Sequence, residues 1–316
     1  MKPKTAFSTL SCPDWSFQEL IEHGTRYGFD GVEIRMLERE TDLLTHPAFQ
    51  PSQLGHRTRE LSEAGFSICG LSSSVSFDSP ISAVRREQVE TGRRYLDLAR
   101  ILGAGFVRVF GDVLQPGDAA NDAVPLVRVS PDQRRKTIGQ VAEGLQQLGE
   151  YAETLGLEVL IETHGDFASS SVMREVLEGV ESKAVGVLWD THHPWRFFNE
   201  KLTTTFERLR PWIRHTHWKD SVTKQSAGRE STGNETIGSE AATQAHSLMT
   251  GHRHADYVLF RGGEFPALEC MWLLKNSGYT GWHCYEWEKA WHPELEAPET
   301  ALPLFPSKLH ELWSTV

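Results

Sequence analysis

Cysteine is scarce in this chain. Only four occur in 316 residues, at Cys12, Cys69, Cys270 and Cys284, and no two have CxxC spacing. That argues against a disulfide framework and points to a reduced, cytoplasmic compartment. Long apolar runs are also missing. Nothing approaches the roughly 20 residues of a membrane span, and the apolar stretch after Lys2 and Lys4 is too short for a signal peptide. Positive charge is in deficit: 32 Lys and Arg face 43 Asp and Glu, a net charge of −11. A phosphate backbone wants a basic face, so nucleic acid is not the expected partner. No Gly-rich phosphate loop is found, and no internal repeat beyond a strand–helix rhythm. With 39% hydrophobic and 24% charged residues, the balance is that of a soluble globular chain.

What is present is a set of apolar runs in the second half, each ending on a group that metals bind. Val159-Leu160-Ile161 runs into Glu162, Val187-Leu188-Trp189 into Asp190, Ile213 to Thr216 into His217, and His283-Cys284-Tyr285 into Glu286. A carboxylate closing a buried strand is costly unless something pairs with it. Four such ends, offering oxygen and imidazole, suggest one divalent cation: Mn²⁺, Mg²⁺, Co²⁺ or Zn²⁺. His215 and His217 share a face by alternation, which cannot choose between them. The position nearer the strand end favours His217, with His215 as a deeper hydrogen-bonded support.

The pattern predicts eight strands: Thr5–Leu10, Gly31–Ile34, Ser67–Leu71, Phe106–Phe110, Glu158–Glu162, Val185–Asp190, Ile213–His217 and Trp282–Glu286. Helix-like stretches lie between them, and Gly28, Gly65, Gly103 and Gly156 each stand where a left-handed helix end is favoured. Eight βα units in a chain of this length fit a (β/α)₈ TIM barrel, one domain over residues 1–316. An open doubly wound sheet is the alternative, but it gathers ligands at a switch point and not on successive strand ends. Two segments break the rhythm. Asp220 to about Asp256 is long and polar, a candidate lid or subunit contact, which leaves a homo-oligomer open. Trp291–Pro306 holds Pro293, Pro298, Pro303 and Pro306, and is expected to run extended over the surface.

Several pieces together carry a resemblance. They are Gly28-Phe29-Asp30-Gly31-Val32-Glu33-Ile34-Arg35, Ile161-Glu162-Thr163-His164, Trp189-Asp190-Thr191-His192-His193, His215-Thr216-His217-Trp218-Lys219-Asp220, and Tyr279-Thr280-Gly281-Trp282 with Glu286. In order and spacing the chain resembles the xylose isomerase-like TIM-barrel superfamily, which includes sugar isomerases and epimerases, inosose dehydratases and AP endonucleases. The resemblance implies that Glu162, Asp190, His217 and Glu286 are the metal ligands, and that His193 contacts substrate or metal. Softer substrate candidates are His164, Lys219, Glu33 and Arg35. Glu33 and Arg35 share one face and form an alternative structural ion pair. Trp189, Trp195, Trp218 and Trp287 lie near the ligands in sequence and are either a sugar-facing wall or core.

The implied activity is a metal-dependent isomerase or epimerase of a sugar or keto-sugar, working through an enediolate, with Glu162 and Glu286 as the proton-transfer pair. Its alternative is a dehydratase or lyase on a keto-inositol or keto-glycoside. An AP endonuclease fits less well. By the resemblance that branch carries extra His ligands on earlier strands, whereas the third and fourth strands here end in Leu71-Ser72-Ser73-Ser74 and Phe110-Gly111-Asp112. A non-catalytic sugar-binding barrel is the reading from another class, and the full ligand set argues against it.

Overall fold

The computed structural model describes residues 2–114, 130–223 and 255–316. Eight parallel strands close a barrel in the spatial order β1-β10-β7-β6-β5-β4-β3-β2. They are β1 (Lys4–Ser8), β2 (Gly31–Ile34), β3 (Ser67–Ser76), β4 (Phe106–Phe110), β5 (Glu158–Glu162), β6 (Val185–Asp190), β7 (Ile213–Trp218) and β10 (Trp282–Tyr285). The ring closes where Lys4 pairs with Trp282 and Phe7 with Tyr285. The two remaining strands, β8 (Asp220–Thr223) and β9 (Ala255–Val258), form a separate antiparallel pair.

Local chemistry sets the helix ends. Before α1 (Phe17–Tyr27), the Ser16 side chain accepts from the Glu19 N–H while the Glu19 carboxylate accepts from the Ser16 N–H at 2.8 Å. That satisfies two of the helix's orphan donors. The helix stops at Gly28, whose φ of +83° a Cβ would resist. The same αL glycine closes α2 (Pro51–Ala64), α3 (Ser82–Leu102) and α4 (Pro131–Leu155). α5 (Ser170–Glu178), α6 (His193–Phe198), α7 (Leu202–Leu209) and α8 (Ala267–Asn276) complete the outer ring as far as β10.

The main core lies between strands and helices, where Leu20, Leu61, Leu96, Leu148, Val176, Leu209 and Leu274 are all buried. Each such side chain contributes about 1.5–3 kcal/mol. The inward face is lined separately by Phe106, Leu160 and Leu188. Gly70 makes room for that layer, since a Cβ there would sit 2.2 Å from the Phe106 ring. Above it the lining turns polar, and this change of layer creates the site.

One expectation needs correction. The segment after Trp291 does not run extended over the surface. It contains α9 (Pro298–Ala301) and opens α10 (Leu304–Thr315). Leu302 and Phe305 are fully buried, and Phe305 stacks on Tyr285 with ring centroids 4.9 Å apart. Pro298, Pro303 and Pro306 stand at helix starts, where a missing N–H costs no intrahelical bond. The polar stretch from Asp220 to Asp256 begins and ends in the β8–β9 pair, and residues 224–254 of it lie outside the described residues. Asp220 anchors the pair: its Oδ1 accepts from Ser221 and Phe265 N–H, and its Oδ2 from Gly263 N–H.

Candidate metal centre

The register brings the four strand-end groups to one level. Asp190 pairs with His217, and Cys284, two residues before Glu286, pairs with His217 from the other side. One donor atom from each of Glu162, Asp190, His217 and Glu286 lies within 4.8 Å of the other three, and all four residues are buried. Ligands held about 2.0–2.3 Å from one ion are separated by distances of this order.

Their partners show which atoms remain. Asp190 Oδ1 is used by two backbone donors, the N–H of His192 and of His193, both at 2.9 Å. Its Oδ2 makes no hydrogen bond and lies 2.9 Å from Lys219 Nζ. His217 Nε2 donates to the Glu33 carboxylate at 2.9–3.0 Å. Its Nδ1, buried and without a hydrogen bond, lies 3.1 Å from Glu286 Oε2 and 3.6 Å from Glu162 Oε1. An imidazole lone pair facing two carboxylates is repulsive unless a cation or a proton stands between them. The donor set, with His217 Nδ1 free of a hydrogen bond and Asp190 Oδ2 held only by the Lys219 ion pair, fits a divalent ion.

Beneath His217, a second group of Glu33, His215, His217 and Cys284 is equally close, but it reads as support. Glu33 accepts from Ser72 Oγ at 2.5 Å and from His217, and His215 Nε2 lies 2.8 Å away. Burial pushes the Glu33 carboxyl up, but His217 and His215 pull it further down, well below the usual carboxylate range. Burial also pushes the Cys284 thiol up, which keeps it protonated. The Cys284 thiol proton and the His217 Nε2–H occupy two of the atoms a second ion would need, and Glu33 fixes the His217 tautomer that presents Nδ1 upward. The alternative Glu33–Arg35 ion pair does not form, and the fully buried Glu33 carboxylate is engaged by Ser72 and His217.

The rest of the ring is charged. Arg108 Nε pairs with Glu162 Oε2 at 3.1 Å. Burial raises the Glu162 carboxyl, but Arg108 and His217 together more than reverse it, leaving it below the usual value. Lys219, 1% exposed, has its Nζ 2.5 Å from both Glu286 Oε2 and Glu288 Oε1. Burial lowers its proton affinity, but Asp190, Glu286 and Glu288 raise it well above the ordinary lysine value. Burial raises Glu286, which His217 and Lys219 then draw well below its usual value. Asp190 is pushed up to about 6 by burial, against the pull of Lys219.

The remaining candidates take different places. His193 contacts Thr163 O through Nδ1 at 3.0 Å, and its Nε2 is 3.3 Å from Lys219 Nζ. His164 lies one step outward, 3.3 Å from Asp112. Trp189, Trp218 and Trp287 belong to the buried core and form no sugar-facing wall, while Trp195 packs partly buried against Phe265. Two participants were not anticipated. Arg108 had a signal, a charge in the middle of the apolar run Phe106–Phe110. Glu288 had only its spacing of two from Glu286.

Comparison with known proteins follows the same outline. Residues 21–304 match the model of the xylose isomerase-like TIM barrel. An inosose dehydratase of Bacillus thuringiensis is 24% identical over 288 residues, 90% of this chain and 85% of that protein. Among solved structures, a probable 3-DHS dehydratase involved in petrobactin synthesis from Bacillus anthracis superposes with a TM-score of 0.68 at 17% identity, covering 98% of each chain. An L-ribulose 3-epimerase reaches a TM-score of 0.70 at 14% identity, covering 99% of this chain and 95% of its own. The barrel, its order of strands and the matched span make this chain a member of the xylose isomerase-like TIM-barrel family.

Proposed function

We propose that this protein is a metal-dependent enzyme that removes a proton next to the carbonyl of a keto-sugar or keto-polyol and then expels a neighbouring hydroxyl as water. Glu162, Asp190, His217 and Glu286 hold the ion, which is Mn²⁺, Mg²⁺, Co²⁺ or Zn²⁺. When bound, the ion supplies Lewis acidity, polarising a carbonyl oxygen and stabilising the negative charge that develops on it.

Glu162 and Glu286 are the proton carriers. Arg108 beside one and Lys219 beside the other keep both ionised and weakly basic. A weak base removes only an acidified proton, which restricts the substrate to carbonyl compounds. The observation that carries elimination over simple proton return is Lys219, a buried ammonium shared by Asp190, Glu286 and Glu288. It stands beside Glu286 as a hydrogen-bond donor for a departing oxygen. The proton taken from carbon leaves with the hydroxyl, so one water is released and the site regains its starting protonation. The inosose dehydratase relative and the 3-DHS dehydratase likeness support the same outcome. Epimerisation is the second reading. It is favoured by the two carboxylates approaching His217 Nδ1 separately, and by the likeness to an L-ribulose 3-epimerase.

The test is product analysis by NMR in deuterated water, with Mn²⁺-, Mg²⁺-, Co²⁺- or Zn²⁺-loaded protein and a panel of keto-inositols and keto-sugars. Elimination gives an unsaturated or deoxy product with loss of water. Deuterium uptake with the hydroxyl retained selects epimerisation. No exchange with any metal or ketone defeats both.

A further inference from the structure

Arg35 stands just past β2, two residues after Glu33 and therefore on the same inward face, one level nearer the mouth. It is 7% exposed. Its backbone N–H donates to Thr9 Oγ1, and its Nη2 donates to Ser74 Oγ at 2.9 Å. Its Nη1 is buried and makes no hydrogen bond, and no carboxylate pairs with it among the described residues. Burial and the nearby Arg108 push its pKa down to about 10, so it remains a cation at neutral pH. Leaving such a charge buried and unpaired costs several kcal/mol.

The surrounding carboxylates cannot supply the missing partner. Glu33 is held by Ser72, His217 and His215, Glu162 by Arg108, and Glu286 and Glu288 by Lys219. Arg108 differs from Arg35 in having both an acid and an acceptor, Glu162 and Ser73 O. Ser74, the neighbour that Arg35 does hold, is exposed, so solvent reaches this edge of the ring. The edge is thus a preformed, buried donor beside the solvent-exposed Ser74.

We propose that Arg35 receives a carboxylate carried by the substrate, which makes the natural keto-sugar or keto-polyol an anionic keto acid and not a neutral compound. The assignment rests on the proposed reaction for the word keto, but on Arg35 alone for the charge. A guanidinium edge suits a carboxylate because two N–H groups can meet its two oxygens.

A ring-matched pair of probes tests it: 3-dehydroshikimate, which carries a carboxylate, and scyllo-inosose, which carries no charge. Calorimetric titration into the Mn²⁺-loaded protein should show at least tenfold tighter binding of the acid. Arg35→Gln should weaken the acid about 10–100-fold and leave the neutral ketone within about threefold. Arg35→Lys should recover part of the loss. A wild-type protein without preference, or an Arg35→Gln loss equal for both probes, overturns the proposal. Should Arg35→Gln fail to fold, the wild-type preference at 50 mM and 500 mM salt decides: a preference that shrinks with salt supports the carboxylate contact, and one that does not overturns it. Arg35-dependent acid binding with no turnover of either probe would leave this inference standing and remove the proposed reaction. Turnover of scyllo-inosose unchanged in Arg35→Gln, with no acid preference, would do the reverse.

Discussion

The two halves of the barrel mouth carry opposite chemistry. Strands β5, β6, β7 and β10 present Glu162, Asp190, His217 and Glu286. Strands β1 to β4 and the residues just past them present Thr9, Arg35, Ser72, Ser74 and Arg108, which are hydroxyls and guanidinium groups, and their acid Glu33 is turned under His217. One half can hold a cation and move protons. The other can hold an anion or a polar substituent. Arg108 joins the two by leaning across from β4 to Glu162. Under the proposed function the same eight-strand scaffold separates positions for chemistry from positions for recognition, as a ring of independent strand ends allows.

The largest expected effect comes from breaking the acidic half. In the proposed reaction Glu286 is both a proton carrier and a ligand; Glu286→Gln removes both roles but leaves Lys219 paired with Asp190 and Glu288. Turnover should fall by 10³-fold or more, while the circular dichroism spectrum stays that of the wild type. Activity within tenfold of wild type would take Glu286 out of the chemistry. A smaller effect should follow from Glu33→Gln, which touches only the support of His217. Metal affinity should drop about 10–100-fold, read by competition with a chelating dye. Unchanged affinity would show that Glu33 does not orient the ring.

Much of this was legible in the chain, for physical reasons. An apolar strand that stops on a carboxylate stands out, so β5 and β6 could be read together with Glu162 and Asp190 at their ends. Alternation placed His215 and His217 on one face, but it could not supply a partner 184 residues away, and Glu33 was paired with the wrong neighbour, Arg35. Arg108 was absorbed into an apolar run because periodicity counts residues and not charges. The C-terminal helices were obscured by prolines, whose effect reverses between helix start and helix interior. Glu288 lies beyond the last strand, where no period operates.

Asp78 sharpens the comparison at its smallest scale, as an acid in the cationic half that no cation reaches. Ser76 Oγ donates to its Oδ1 at 2.9 Å. Burial and the negative charge of Asp112 nonetheless push it up to about 6. In the unfolded chain it titrates near 3.9. Below about pH 4 both states hold the proton and no penalty exists. Above about pH 6 both are ionised, and the folded state bears the cost of a poorly solvated charge. Asp78→Asn keeps the acceptor for Ser76 and removes the charge. It should therefore stabilise the protein by about 1–2 kcal/mol at pH 8, a value reduced for partial solvent screening, and by nothing measurable at pH 4. Urea unfolding at the two pH values reads the difference. An equal gain at both would mean that the charge is not what strains this corner of the barrel.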